Sequence, residues 1–290
     1  MLDTQQAPRY APRMLAIIAT LTPEGLIDTP YSGDRISEIA NQEPEGVYDV
    51  TRTYSGGRAL LLEAYFDRLE RSARLEGIDI KLERSSIGSA IRQLLERSEF
   101  EEARLRLTVP RDRPENLIIA VADYAPFRDR LKKVKEQGAK VATLSIARQN
   151  PAAKTNAWVH ERNLAKSTLP KDIYEGIIVD ENGKLLEGFS SNFYAIRQGV
   201  LYTADEGILP GISRRILMEV APKVLLVELQ PPARDQIPMF DEALLTSSGR
   251  GMVPIVKLDD HILGDGQPGS LTQQLMERYD EWVEEHLEVI

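Results

Sequence analysis

The chain has 290 residues, which is long enough for one large domain or two modest ones with a sizeable core. Its net charge of -9 argues against a nucleic-acid-binding protein, because neutralising phosphates requires clustered Lys and Arg. The chain contains no cysteine, which excludes disulfides, a thiolate nucleophile and a cysteine-based zinc site. Residues 1–13 lack the features of a secretory signal, and no segment has the length of a membrane span. We therefore expect a cytoplasmic protein that binds neither nucleic acid nor membrane.

The first part of the chain alternates between strand and helix patterns. Some segments are short, apolar and rich in β-branched residues, which predicts strands. Others carry Leu, Ile and aromatic residues at helical spacing between charged residues, which predicts amphipathic helices. The predicted strands are residues 14–21, 46–54, 104–109 and 116–124, and the predicted helices are residues 59–76 and 85–98. We therefore expect a smaller α/β domain over residues 1–125.

A charged, Pro-containing segment at residues 126–137 predicts a linker, followed by a larger, sheet-rich domain at residues 138–290. The predicted strands of this domain are residues 140–147, 176–180, 192–196, 224–229 and 243–246, and residues 270–289 are predicted to form a terminal helix. Asn182 and Gly183 are a strong turn signal. They would pair the strand before them with the residues leading into Glu187 as a hairpin.

Residues 211–214 lie where a loop enters a predicted helix with an apolar side. The start of a helix has free backbone N–H groups and a positive dipole end, and the Ser213 hydroxyl adds a donor, so this segment could bind a phosphate. The alternative is that Ser213 is an ordinary helix cap. Considered alone, the segment favours that alternative, because Ser is a preferred capping residue.

Glu187 and Lys154 have the side chains that a pyridine cofactor with an aldehyde would need. A carboxylate such as Glu187 can bond a protonated ring nitrogen and make the ring a stronger electron sink. An amine such as Lys154 can form a Schiff base with the aldehyde in suitable surroundings. The alternative for each is a solvated surface residue, and neither side chain alone decides between the two interpretations.

The order and spacing of these segments carry more information than any one of them. The segments are Lys154 and residues 174–176, 186–193 and 209–214. In this order they resemble the class IV, or fold type IV, pyridoxal-phosphate aminotransferases, a family that includes branched-chain and D-amino-acid aminotransferases and aminodeoxychorismate lyase. Residues 46–49 and 68–73 also match patterns of this family, so the resemblance runs from Gly46 to about Pro254.

The resemblance implies a two-lobed α/β fold of type IV, with a smaller N-terminal lobe and a larger, cofactor-binding C-terminal lobe. It implies pyridoxal 5'-phosphate as cofactor, a homodimer, and transfer of an amino group between an amino acid and a 2-keto acid. Two alternatives stay open. One is a lyase of the aminodeoxychorismate type, which uses the same lysine and cofactor, and the other is a cofactor-binding or interaction protein without turnover.

The resemblance also implies roles for individual residues. By matching position, Lys154 would be the Schiff-base lysine that moves a proton between the substrate α-carbon and the cofactor, and Glu187 would hold the pyridinium nitrogen. Arg148 would help to orient the ring. The phosphate would be bound by Arg68, Ile212, Ser213 and Ser248.

Arg68 has a competing interpretation as a solvated helix residue. It has no acidic residue three or four positions away, so a local helix ion pair does not explain it. Two departures from the family leave the subfamily open. Tyr65 and Phe66 stand where the family often has a His, and the run that begins at Thr155 lacks the Tyr of branched-chain members.

A substrate carboxylate needs a fixed cation, and Arg is favoured for its bidentate fork. The candidates for this role are Arg104, Arg106, Arg111 and Arg250. In a strand, Arg104, Arg106 and Thr108 would share one face, opposite the apolar residues between them. That polar face would meet either solvent or a pocket, and the sequence leaves both possibilities open.

Two further motifs indicate other functions but lack the necessary context. Residues 264–269 fit a GxGxxG pattern, but a dinucleotide-binding unit needs a second parallel strand after the helix, so we expect a surface loop. His160 with Glu161, and His286 with the glutamates before it, lack the second His of a metalloprotease helix. We therefore expect no catalytic metal.

Overall fold

The computed structural model describes residues 15–290. Residues 1–14, which include the segment without signal features and the first residue of the first predicted strand, lie outside the described residues. Within residues 15–290, the strands form two sheets, one of seven strands and one of nine. The helices are α1 (Ile36–Ala40), α2 (Leu62–Leu75), α3 (Arg84–Ser98), α4 (Ala125–Gln137), α5 (Asn156–Ser167), α6 (Ile212–Val220) and α7 (Ser270–Glu285).

The first sheet is formed mainly by the N-terminal part of the chain. Its strands are β1 (Ala16–Thr22), β2 (Gly25–Ile27), β3 (Gly46–Tyr54), β4 (Arg58–Leu60), β5 (Ala103–Pro110), β6 (Leu117–Asp123) and β16 (Leu287–Val289). They lie in the order β16-β4-β3-β5-β6-β1-β2, and each neighbouring pair is antiparallel. The four strands predicted in this part of the chain are therefore confirmed, and β3 has the predicted bounds.

The prediction that a helix begins at residue 59 is wrong, because the hairpin of β3 and β4 takes the first residues of that segment. Gly56 and Gly57 both have positive φ angles, of 80° and 69°, which glycine adopts without strain and which bring β4 back along β3. Leu61 follows in the left-handed region, with φ of 47°, and α2 begins after it.

The two faces of the first sheet differ in character. Helices α2 and α3 pack on one face, where Phe66 and Leu69 of α2 and Ile91 of α3 join the apolar residues of β5 in one core. On the other face, Arg104 and Arg106 of β5 line a cavity. This division follows from the alternation of side chains along a strand.

The second sheet closes on itself. Its strands are β7 (Ala139–Leu144), β8 (Glu175–Val179), β9 (Leu185–Gly188), β10 (Ser191–Arg197), β11 (Val200–Tyr202), β12 (Leu226–Glu228), β13 (Glu242–Ser247), β14 (Gly251–Leu258) and β15 (His261–Ile262). Strands β10, β13, β14, β7, β8 and β9 pair in this order, and β9 pairs back to β10. The hairpin predicted at Asn182 and Gly183 is confirmed, because β8 and β9 are antiparallel.

Apolar side chains fill the inside of this ring and also cover part of its outside. Val141, Ile177 and Phe193 belong to the inner cluster. Helices α6 and α7 cover the outside, where Ile216 and Leu275 are fully buried. The predicted helix after residue 211 and its apolar side are therefore confirmed. The second sheet thus presents the start of α6 to the junction with the first sheet.

The segment predicted as a linker is the helix α4, which connects β6 of the first sheet to β7 of the second. Pro126 lies in its first turn, where proline is compatible with a helix, so the charged sequence continues as a solvated helix. The division into domains at residues 125 and 138 stays a prediction.

The C-terminal helix is shorter than predicted. Helix α7 ends at Glu285, and β16 then pairs with β4 at the edge of the first sheet. The backbone of β16 thus pairs with the edge of β4, which would otherwise be unpaired on that side. The loop expected at residues 264–269 is confirmed, since it leads into α7 without a following parallel strand. No helix in the described part of the chain is long and apolar enough to span a membrane.

Candidate active site

A cavity of about 380 Å³ lies where the two sheets meet. Its walls come from β3 and β5 of the first sheet, from β9 and β10 of the second, and from helices α2, α5 and α6. All the predicted site residues except Arg111 line it: Arg68, Arg104, Arg106, Arg148, Lys154, Glu187, Ile212, Ser213, Ser248 and Arg250. The fold therefore brings together the Lys154 amine, the Glu187 carboxylate and the start of α6 from distant parts of the sequence.

Lys154 is held against the first sheet by its own backbone. Its carbonyl accepts a hydrogen bond from the Tyr48 N–H at 2.9 Å, and its N–H donates to Ser72 Oγ at 3.2 Å. The side chain is 17% exposed, and Nζ lies 3.4 Å from Asp49 Oδ1. Lys154 is therefore not a solvated surface lysine.

The surroundings of Lys154 favour its neutral form. Burial lowers the pKa of the Lys154 amine, the negative charge of Asp49 opposes this effect, and the positive charge of Arg68 adds to it. A lysine with a lowered pKa provides the neutral amine that attacks a carbonyl carbon. The geometry and the electrostatics of Lys154 thus suit the formation of a Schiff base.

Arg68 is buried, so the interpretation as a solvated helix residue is wrong. Its Nε and Nη2 atoms donate to the two carboxylate oxygens of Asp49, at 2.7 and 2.6 Å. This fork-to-fork geometry is the strongest form of an Arg-carboxylate pair. It fixes a positive charge at the wall of the cavity that Arg68 lines.

Glu187 lies on β9 and is also buried, with 2% of its surface exposed. Arg148 forms an ion pair with one carboxylate oxygen, and the backbone N–H of Leu209 donates to the other at 2.9 Å. Burial raises the pKa of the Glu187 carboxyl, while Arg148 and the Leu209 N–H act against that increase. The alternative of a solvated turn residue is therefore wrong for Glu187.

The start of α6 is directed at the same cavity. Gly211 is the residue before the helix and has extended backbone angles, so Ser213 is not the cap. The Ser213 hydroxyl instead accepts a hydrogen bond from the Tyr279 hydroxyl at 2.9 Å. The first N–H groups of a helix have no partner within it, and those of Ile212 and Ser213 lie at a wall that Ser248 shares. This arrangement can bind an anion.

The guanidinium groups of Arg106, Arg250 and Arg111 already have protein partners. Arg106 donates to Glu43 at 2.7 Å, and Arg250 donates to Glu175 at 2.7 Å. Arg111 pairs with Glu76, at the C-terminal end of α2, at 3.0 Å and does not line the cavity. Their predicted role in binding a substrate carboxylate stays a prediction.

Arg104 differs from these three. Within residues 15–290 its guanidinium has no carboxylate partner, and its Nε is buried without a hydrogen-bond partner. Burial and the nearby charge of Arg250 lower the pKa of Arg104 to about 10, so it remains charged at neutral pH. It lies 4.3 Å above the ring of Phe127 and faces the cavity. The polar face of β5 thus meets a pocket, not solvent.

The sequence did not single out Tyr48, Trp158 and Arg162, which also line the cavity. Burial alone would raise the pKa of the Tyr48 hydroxyl, but nearby cations, first Arg162 and then Lys154, outweigh burial and lower the pKa to about 8. Trp158 and Arg162 lie four residues apart on α5, a spacing that puts both on one helix face. Once β3 pairs with β5, alternation puts Tyr48 on the same face as Arg106.

Glu175, at the start of β8, links the turn between β9 and β10 to the turn between β13 and β14 at the edge of the cavity. It accepts hydrogen bonds from Ser190 Oγ at 2.7 Å, from Ser191 Oγ at 3.1 Å and from Arg250 Nη1 at 2.7 Å. Burial alone would raise the pKa of its carboxyl, but Arg250 and Ser190 outweigh burial and lower it below its usual value. Glu175 therefore stabilises the loop that follows Glu187.

Replacing Glu175 by Gln is expected to lower the free energy of unfolding of the cofactor-free protein by about 3 kcal/mol at pH 7, because Arg250 is left buried without its anion. A carboxyl with a lowered folded pKa stabilises the fold above its unfolded pKa of 4.5, and this contribution is lost as the pH falls further. The difference between wild type and variant should therefore narrow below pH 4.5. Thermal unfolding at pH 7 and in acid checks both effects. The exposed Glu181, replaced by Gln, is the control, and an equal loss in both variants would contradict the prediction.

The amino-acid sequence of this chain is similar to those of known aminotransferases. It is 27% identical over 256 residues to the branched-chain-amino-acid aminotransferase of Pseudomonas aeruginosa, covering 81% of this chain and 82% of that protein. It is 25% identical over 258 residues to the D-alanine aminotransferase of Staphylococcus aureus strain N315, covering 83% of this chain and 89% of that protein. The two relatives differ in the substrates that their names give.

The fold is also similar to those of solved aminotransferase structures. The T.th. branched-chain amino acid aminotransferase complexed with N-(5'-phosphopyridoxyl)-L-glutamate has a TM-score of 0.77 and 21% identity, covering 93% of this chain and 97% of that one. A hypothetical aminotransferase from Mycobacterium tuberculosis, in a PLP-bound form, has a TM-score of 0.74 and 20% identity, covering 92% and 99%. These similarities confirm the predicted α/β fold of type IV.

The family model of amino-transferase class IV matches residues 46–258. This match covers β3, the Lys154 segment, β9 with Glu187 and the start of α6, which are the elements that form the cavity. It also agrees with the extent of the resemblance read from the sequence. The chain therefore belongs to the class IV aminotransferase family.

Proposed function

We propose that Lys154 is the catalytic residue of a reaction that moves an amino group between an amino acid and a 2-keto acid in this cavity. The class of enzyme and its cofactor follow from the family, which makes the chain a pyridoxal-phosphate-dependent aminotransferase. The observation that carries the proposal is that Lys154, Glu187 and the start of α6 line one cavity. A lysine amine, a carboxylate and an anion site are the groups that this cofactor requires.

The residues of the cavity fit pyridoxal phosphate. Arg68, Ser248 and the first N–H groups of α6 would hold the phosphate, and the buried carboxylate of Glu187 would hold the ring nitrogen. Arg148 supports this arrangement because it pairs with Glu187 and also donates to the Ala153 carbonyl at 2.8 Å, just before Lys154. When bound, the cofactor supplies an aldehyde carbon and an electron-withdrawing ring.

The protein's own groups would then move and hold protons. Lys154 Nζ, whose pKa is lowered by burial, would take a proton from the substrate α-carbon and return it on the cofactor side. Glu187 would keep a proton on the ring nitrogen, because its carboxylate would place a negative charge beside that atom. The apolar ring of Phe189 and the indole of Trp158, 6.2 Å apart, would exclude water from this side.

The proposed receptor for the substrate carboxylate is Arg104, because its half-buried side chain lines the cavity with a buried Nε and, within residues 15–290, without a carboxylate partner, unlike Arg106 and Arg250. A buried cation without a partner is costly, and a bound carboxylate would remove that cost. The positions of Arg106 and Arg250 beside it would keep the region positive. Arg111, which pairs with Glu76 outside the cavity, gains no such support.

Replacing Arg104 by Met is expected to raise KM for the amino acid and the keto acid by about 10- to 100-fold, with a smaller change in kcat, because a charge-assisted hydrogen bond of about 1.5–3 kcal/mol is lost. Steady-state kinetics with both substrates check this result. The matched control is Arg130→Met, since Arg130 is exposed on α4 and does not line the cavity. An unchanged KM in the Arg104 variant would exclude this assignment.

The reaction can be tested directly with purified protein and added pyridoxal phosphate. A panel of D- and L-amino donors, with 2-oxoglutarate or pyruvate as acceptor, should show transfer that requires both a donor and an acceptor. A parallel aminodeoxychorismate assay tests the lyase alternative. Pyruvate formed without any amino acceptor would overturn the transaminase proposal. The panel also decides between branched-chain and D-amino substrates, which the two relatives' names suggest.

The predicted homodimer and cytoplasmic location are part of the proposal. Light scattering of the purified protein measures the oligomeric state. The cytoplasmic location, with which the absence of cysteine is compatible, stays a prediction.

A further inference from the structure

Asp49 is a buried carboxylate that lies next to the cavity without lining it. Its side chain is 1% exposed, and it projects from β3 toward α2, on the face of the sheet opposite Tyr48. Within residues 15–290 it is the carboxylate in ion-pair contact with both Arg68 and Lys154. It would therefore not touch a ligand in the cavity but contacts two groups that would.

The hydrogen bonds of Asp49 determine which part of Arg68 is available. Asp49 accepts from Nε and Nη2 of the guanidinium, which leaves the Nη1 amino group for a ligand in the cavity that Arg68 lines. The two parallel bonds also fix the plane of the guanidinium. Without them, Arg68 would keep its charge but lose its fixed orientation.

One oxygen of Asp49 links the two cations. Oδ1 accepts from Arg68 Nη2 at 2.6 Å, lies 3.4 Å from Lys154 Nζ, and also accepts from the backbone N–H of Val50 at 2.7 Å. The backbone bond holds this oxygen in place on β3. The charged and titratable groups that face Lys154 are Asp49, Arg68, Tyr48 and Arg162, of which the first is the carboxylate. Asp49 therefore separates two positive charges that would otherwise repel each other.

We propose that Asp49 is a positioning residue that orients Arg68 for the phosphate of the cofactor and holds Lys154 Nζ at the cavity, so that phosphate binding and the protonation of the lysine are coupled. The proposal rests on the assignment of Arg68 and Lys154 to the cofactor site. Asp49 itself takes no part in bond making or breaking.

The test compares Asp49→Asn and Asp49→Glu with wild type. The first variant keeps nearly the same shape but removes the charge and turns one acceptor into a donor, and the second keeps the charge on a longer side chain. The matched control is Asp67→Asn, because Asp67 precedes Arg68 on α2 but is exposed and pairs with Arg84. Circular dichroism and thermal unfolding establish that each variant is folded.

Two measurements that do not depend on turnover separate the roles of Asp49. The first is the affinity of the cofactor-free protein for pyridoxal phosphate and for inorganic phosphate. The second is the rate at which acetic anhydride acetylates Lys154 in cofactor-free protein at pH 8, mapped by mass spectrometry. The second measurement works even if the wild type binds no cofactor, so failure of this proposal and failure of the proposed function are distinguishable.

For Asp49→Asn we expect affinity for pyridoxal phosphate to fall by about 10- to 100-fold, as it does for metal sites when an outer-shell partner of a metal ligand is removed. Acetylation of Lys154 should become several-fold faster, because loss of the anion lowers the lysine pKa. Asp49→Glu should restore part of both properties, and Asp67→Asn should change neither. Wild-type affinity and wild-type acetylation in folded Asp49→Asn would overturn the proposal. If that variant does not fold, the smaller Asp49→Ser takes its place, and wild-type values of both properties in it would overturn the proposal equally.

Discussion

Replacing Lys154 by Ala is expected to abolish the visible absorption that the wild-type protein gains with pyridoxal phosphate, and to lower the rate of amino transfer by at least about 10⁴-fold. The reason is that Lys154 supplies two functions from one atom. Its Nζ lies at the cavity wall next to Asp49, where it would form the Schiff base, and burial lowers its pKa, which favours the neutral amine that accepts a proton. Absorption titration and steady-state kinetics measure the two losses separately.

The control for this experiment is Lys166→Ala. Lys166 also lines the cavity, but it is exposed and its ammonium donates to the backbone carbonyl of Tyr174 at 3.0 Å. We expect this variant to keep the absorption band. A wild-type protein that stays colourless with added cofactor, or a Lys154→Ala variant that keeps the band, would exclude Lys154 as the Schiff-base residue.

Much of the secondary structure could be predicted correctly from local sequence. The strand at Gly46–Tyr54 is rich in Val, Thr and Tyr, which favour an extended backbone, and Gly56 and Gly57 bound it. The hairpin at Asn182 and Gly183 was predictable because turn residues with positive φ, such as Gly183 at 73°, are rare outside glycine. These elements depend on neighbours in the sequence, which is why the sequence alone was sufficient.

Other elements depend on distant partners. The strand β16 was predicted as the end of a helix, since its backbone partner β4 lies more than two hundred residues earlier in the chain. The start of α2 was misplaced for a similar reason, because β4 exists through its pairing with β3 and with β16. Helix α5 was not predicted at all. Secondary structure that is stabilised by tertiary pairing is not visible in local periodicity.

The environments of the side chains in the candidate site also depend on residues that are distant in the sequence. Considered one at a time, Lys154, Glu187 and Arg68 could each have been solvated surface residues. The packing of the two sheets buries these side chains, and that burial excludes the alternative. Arg104 and Arg106 share one face of β5, as alternation predicted. Glu43, which is 63 positions from Arg106 in the sequence, pairs with that guanidinium, whereas Arg104 has no carboxylate partner within residues 15–290. No pattern within the strand distinguishes the two.

Replacing Glu187 by Gln is expected to lower kcat by about 10²- to 10³-fold while the affinity for pyridoxal phosphate changes less than tenfold. The amide can still accept a hydrogen bond from the Leu209 N–H, so the loop before α6 keeps its contact. It has no negative charge to hold a proton on the ring nitrogen, so the ring withdraws electrons less strongly when charge develops at the substrate α-carbon. The phosphate site around Ser213 is untouched by the change, which is why binding should survive.

Two variants of Glu187 separate the effect of its charge from the effect of its shape. Glu187→Asp keeps the charge on a shorter side chain and should retain more activity than Glu187→Gln, although the amide matches the wild-type length. Glu206→Gln is the control, because Glu206 is exposed in the loop that leads to α6. If the amide variant turned over as fast as wild type, the buried carboxylate and its pairing with Arg148 would serve only to hold β9 against the Lys154 segment. Equal losses of kcat and cofactor affinity would likewise show that the carboxylate acts on binding and not on the electronic state of the ring.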